Sequence, residues 1–142
     1  MKVNIGNYRK NRKVNIEIHE YDLWSMYHTI SLILVPLFKK YKEKAPHTIP
    51  SIFLEEANNS IELSEKIWSE ALDKIIWSFE EIANFNQNEP DFKGNFEFSP
   101  QFKMAGATEE EYINWKLEVK LYEEKIQEGL DLFAKYFRSF WY

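Results

Sequence analysis

Four side chains able to bind a metal or move a proton fall within ten positions: His19, Glu20, Asp22 and His28, in the run HEYDLWSMYH. Imidazole nitrogens and carboxylate oxygens of this kind could hold a divalent cation or serve a hydrolase, with Asp73 or Glu80 as further carboxylates. The spacing argues otherwise. His19 closes a strand pattern and His28 lies two turns into a helix pattern, and neither HExxH nor Glu-x-x-His aligns the groups as helical metal sites require. The plainer role for His28 is a half-buried imidazole hydrogen-bonded to Asp73 or Glu80 on the next helix, because burial without a partner is unfavourable. The adjacent carboxylates Glu55 and Glu56, and Glu80 and Glu81, diverge by about 100° on a helix and cannot share a site unaided. No glycine-rich phosphate loop, nucleophile elbow or Ser-His-Asp order is present, and the lack of cysteine removes disulfides, thiolate catalysis and Cys-containing zinc sites. No metal and no cofactor is expected.

A second set of residues suits binding better than catalysis. The chain has five tryptophans and eight tyrosines, and its three arginines lie near the ends: Arg9 and Arg12 in YRKNRK, Arg138 in YFRSFWY. Core filling accounts for many of these rings, and a subunit interface for others. If one cleft gathers them, Trp24, Trp77, Tyr136 and Trp141 offer stacking faces beside His28, while Arg9, Arg12, Lys135 and Arg138 offer phosphate donors. Such a cleft would take a small phosphate-bearing nucleotide. A net charge of −5 opposes general affinity for duplex nucleic acid, which depends on neutralising several phosphates.

The elements that must position these residues read as follows. With 142 residues, 44% of them hydrophobic, the chain fits a single domain over 1–142 with its own core. Val14, Ile16 and Ile18 alternate with Asn15, Glu17 and His19, the period of a strand that Val3 and Ile5 could join in a hairpin over 1–20. Asp22 can cap a helix over 22–44, with a stripe through Leu23, Met26, Tyr27, Ile30, Ile33, Leu34, Leu37 and Phe38, and a kink at Pro36. The prolines of APHTIPS, 45–51, make a loop. Ser60 can cap a helix over 61–86 whose stripe runs Ile61, Trp68, Leu72, Ile75, Ile76, Phe79 and Ile82. Residues 86–107, with two glycines, two prolines and four phenylalanines, form a long connection. Thr108 and Glu111 match a capping box opening a helix over 108–141, striped through Trp115, Val119, Tyr122, Ile126, Leu130, Phe133, Phe137 and Phe140. Gly129 inside that helix marks close backbone packing or a ligand lying against it. The fold is thus mainly α, three long helices in a bundle with a short N-terminal β-hairpin. The longest apolar run, Ile30 to Phe38, is about half of what a membrane span needs, and the N-terminus lacks an apolar leader core, so a cytoplasmic protein is expected.

The blocks YDLWSMYHT (21–29), PLFKK (36–40), WSEALDKIIWSFE (68–80) and GLDLFAKYFRSFW (129–141) resemble a family of small tailed-phage proteins. By that resemblance Tyr21, Asp22, Trp24, His28, Thr29, Trp68, Asp73, Trp77, Glu80, Gly129, Lys135, Tyr136 and Trp141 fall on recurring positions, while Tyr27 stands where an acid would precede the histidine. The resemblance implies a phage accessory protein in the host cytoplasm: a homo-oligomeric sponge sequestering a nucleotide immune signal, or else a structural or protein-interaction subunit with no small ligand. A His/carboxylate metal-dependent hydrolase is the remaining alternative.

Overall fold

Alternation at the N-terminus does produce paired strands. In the computed structural model, which describes residues 1–7, 12–44, 49–58, 60–92, 97–98, 104–105 and 109–140, β1 (Lys2–Ile5) runs antiparallel to β2 (Val14–Glu17). The register pairs Lys2 with Glu17, Val3 with Ile16, Asn4 with Asn15 and Ile5 with Val14. Because side chains alternate, Val3, Ile5, Val14 and Ile16 share one face and Lys2, Asn4, Asn15 and Glu17 the other.

The helix expected over 22–44 is two helices. α1 (Glu20–Trp24) begins earlier, with Asp22 in its first turn accepting from the His19 backbone N–H at 2.7 Å, so Asp22 is the third helical residue and not the cap. Ser25, at φ −127° and ψ 62°, breaks the path before α2 (Met26–Lys44), which continues through Pro36. An unanticipated short helix, α3 (Ser51–Glu56), follows Pro50 and sinks Phe53 into the core.

α4 (Ile61–Ala83) starts as expected, with the Ser60 hydroxyl accepting from Leu63 N–H at 3.4 Å, but ends three residues short of 86. Phe85 and Asn86 take φ of 55°, which a right-handed helix cannot contain. Inside the long connection, β3 (Glu97–Phe98) pairs with β4 (Met104–Ala105). α5 (Glu109–Tyr136) passes into a 3₁₀ turn (Phe137–Ser139) and so stops before 141; its expected cap Thr108 lies outside the described residues.

α4 lies between α2 and α5 and runs antiparallel to both, so its stripe is covered on two sides from Trp68 onward, while Ile61, expected in that stripe, is exposed in its first turn. Phe53, Trp68, Ala71, Leu72 and Tyr136 form one buried cluster; Phe38, Ile75, Ile76 and Phe79 form the next along the bundle. Gly129 is explained by packing: a Cβ there would stand 2.1 Å from Ser78 Oγ and 2.5 Å from the Lys74 carbonyl oxygen. Among the described residues, no helix is long and apolar enough to cross a membrane.

Candidate functional site

The anticipated binding residues fall at separate places along the bundle. Tyr136 is buried, 4.7 Å from Phe53 and 5.8 Å from Trp68 between ring centroids, and so serves as core. Lys135 and Arg138 beside it are exposed, with Lys135 Nζ 4.7 Å from the Tyr136 centroid. Trp77 is half-buried about three-quarters of the way along α4, its ring edge-on to Tyr122 and covered by Lys125 Nζ at 3.7 Å. His28 lies at the other end of α4, and Trp24 and Arg12 are exposed at the N-terminal side, where Arg12 Nε donates to the Gly6 carbonyl at 2.7 Å. Trp68, which meets Tyr136, and Ala83, which meets His28, are separated by a rise of about 22 Å along α4. The described members of the set therefore do not share a cleft within one chain; Arg9 and Trp141 lie outside the described residues.

His28 takes neither expected carboxylate. Its Nε2–H donates to the Ala83 carbonyl at 3.0 Å, and its ring stacks on Phe85 at 4.0 Å. The carboxylates are engaged by α2 lysines instead: Asp73 by Lys42 and Glu80 by Lys39. Among the described residues, no three His, Asp or Glu side chains stand close enough to hold a metal ion.

Glu81 is the ionisable group that reading the sequence missed. It is buried, and accepts from Tyr122 OH at 2.7 Å, from Asn88 Nδ2 at 2.6 Å and from the Asn88 backbone N–H at 3.3 Å. Burial pushes its carboxyl up, but the bonds from Tyr122 and Asn88 outweigh burial and hold it below the ordinary carboxylate range. Burial and the Glu81 charge together drive the Tyr122 phenol well above its usual range. Asn86 N–H donates to the Glu81 carbonyl at 2.7 Å, Trp115 Nε1 donates to the Pro90 carbonyl at 2.8 Å, and Phe92 meets Trp115 edge-on. The segment after α4 is thereby strapped to α5, and it carries the Phe85 ring on which His28 stacks. With its oxygens occupied by donors, Glu81 is built to hold structure. Its only signal in the sequence was helical phase: it lies four residues after Trp77, on the α5 side of α4.

A different region is open. All eight strand residues of the hairpin are exposed, and among the described residues no helix packs on it. Tyr21 and Trp24 in α1 are 90% and 92% exposed. The expected stripe of α2 is largely outside as well: Met26, Tyr27, Ile30, Ile33 and Leu37 are exposed, while Ser31 and Phe38 are buried against α4. The physical reason is phase. α2 meets α4 along His28, Ser31, Leu34, Val35, Phe38, Tyr41 and Lys42, a line at helical spacing that takes up only part of its apolar side chains. Hairpin, α1 and the outer side of α2 thus make an arm with apolar groups in water, the kind of surface that marks interaction sites. Comparison with protein-family models, with curated proteins and with solved structures gives no match.

Proposed function

We propose that the chain is an interaction subunit that works by self-association through this arm, in the setting of a phage accessory protein that the sequence blocks imply. The observation that carries this reading is the pair Tyr21 and Trp24, two large rings almost wholly in solvent within five residues. Each such ring can bury on the order of 200 Å², and at about 25 cal/mol per Å² exclusion from water is worth several kcal/mol, which is why Trp and Tyr dominate interface energetics. Sequestration of a phosphate-bearing nucleotide draws no support from a single protomer, where the described rings and cations of that set are divided between the two ends of the bundle.

Sedimentation velocity over a hundredfold dilution tests the proposal. The expected result is a concentration-dependent species larger than the monomer, shifted toward monomer by Tyr21→Ser with Trp24→Ser, with the melting temperature of the bundle little changed. A monomer at every concentration would end this reading.

A further inference from the structure

The hairpin carries its own description of the partner it fits. Gly6 N–H donates to the Lys13 carbonyl at 2.9 Å, so Gly6 and Lys13 form a hydrogen-bonded pair of the ladder. Such pairs alternate along an antiparallel ladder, which makes Asn4 with Asn15 and Lys2 with Glu17 hydrogen-bonded too. The N–H and C=O groups of Val14 and Ile16 consequently point away from β1, along a free edge with no proline and no bulge to blunt it.

The side chains along that edge read Lys13, Val14, Asn15, Ile16, Glu17: cationic, apolar, polar, apolar, anionic. Reversed, the order is the same with the charges exchanged, so the strand complements a second copy of itself running antiparallel. We infer that β2 pairs with β2 of a second copy about a twofold axis at Asn15, an inference that rests on the self-association proposed above. In this register Val14 faces Ile16 of the partner copy as a hydrogen-bonded pair, which the outward-pointing backbone groups require. Lys13 faces Glu17 of the partner copy, twice per dimer. Among the described residues neither Lys13 nor Glu17 is in an ion pair within its own chain.

The other edge lacks this property. A twofold pairing of β1 that keeps its apolar side chains on one face sets Lys2 opposite Asn4 or Gly6, with no charge to meet it. Pairing through β2 also answers why an uncovered hairpin holds its shape. Two strands alone are marginal in water, whereas the dimer has four strands in the order β1-β2-β2-β1, with Val3, Ile5, Val14 and Ile16 of both copies on one apolar face.

The absence of cysteine from the chain allows a clean test. Asn15 would face its own copy in a non-hydrogen-bonded pair, with Cα atoms about 4.5 Å apart, inside the range a disulfide spans. Asn4 would lie about 14 Å from its copy, three strand spacings away. Asn15→Cys should therefore oxidise to a covalent dimer under a mild oxidant, and Asn4→Cys should not. As a second measurement, Lys13→Glu should weaken dimerisation about tenfold by setting like charges opposite each other. Exchanging all three charges, as Lys2→Glu, Lys13→Glu and Glu17→Lys, should restore it. If the unaltered chain is oligomeric but Asn15→Cys stays reduced, or both cysteine variants cross-link alike, the β2 pairing is wrong and the interaction subunit stands. If the unaltered chain is monomeric throughout, both fall.

Discussion

The α4–α5 pair and the N-terminal arm use the same kinds of residue to opposite ends. Along α4 and α5, Trp68, Phe79, Tyr122 and Tyr136 are sealed against one another, and the helices close to the distance that Gly129 permits. Along the arm, Tyr21, Trp24, Tyr27 and the apolar face of the hairpin stay exposed, and among the described residues no helix packs on the strands. Apolar periodicity tells which side chains share a face; it does not tell whether this chain or another molecule covers that face.

Paired tryptophan substitutions would break the comparison most sharply. Trp68→Ala should cost about 3–5 kcal/mol, the range for emptying a large aromatic site in a core, whereas Trp24→Ala should stay within about 0.5 kcal/mol in the monomer. Urea unfolding at low protein concentration measures both, and comparable losses would mean that the arm is part of the folding core. Next in size is Gly129→Ala. Alanine is the better helix former by about 1 kcal/mol, yet the added methyl meets Ser78 Oγ and the Lys74 carbonyl, so the substitution should destabilise by about 1–3 kcal/mol. A neutral or stabilising outcome would show that the helices are not locked at this spacing.

The buried carboxylate sharpens the contrast through pH. Since Glu81 is held below its ordinary range in the folded chain, the unfolded chain takes up the proton first as pH falls. Its contribution is complete above the unfolded value, about 4.3, and is lost as pH descends through the lower folded value. Tyr122→Phe removes a donor from this buried group, should cost about 1–3 kcal/mol near neutrality, and should move the acid limb of the stability curve to higher pH. Urea midpoints from pH 2 to 7 report it; an unshifted acid limb would mean that Tyr122 does not hold the carboxylate.

The hairpin, the Ser60 cap and most of the stripes of α4 and α5 were legible because each is a local pattern: a period of two, a hydroxyl at a helix start, a period near 3.6; Ile61 and Phe137, at the outer ends of those stripes, are exposed. The break at Ser25 and the left-handed turn at Phe85 and Asn86 were not, since no glycine or proline announces either. α3 escaped because six residues are too few to show a period. At the site, sequence reading chose Asp73 or Glu80 for His28, and both were taken by α2 lysines whose reach depends on how two helices cross. The orientation of α2 was likewise hidden, because its apolar residues outnumber those that α4 can cover.

The strap running from Glu81 through Asn88 to Trp115 has a consequence for how the molecule assembles. The chain leaving α4 is delivered at Phe92 onto Trp115 of α5, a closure of only some twenty residues with a correspondingly small entropic penalty, and it precedes the longer closure from Glu81 to Tyr122. The α4–α5 hairpin can form early from short-range contacts, leaving α2 and the arm to be added to a finished two-helix template.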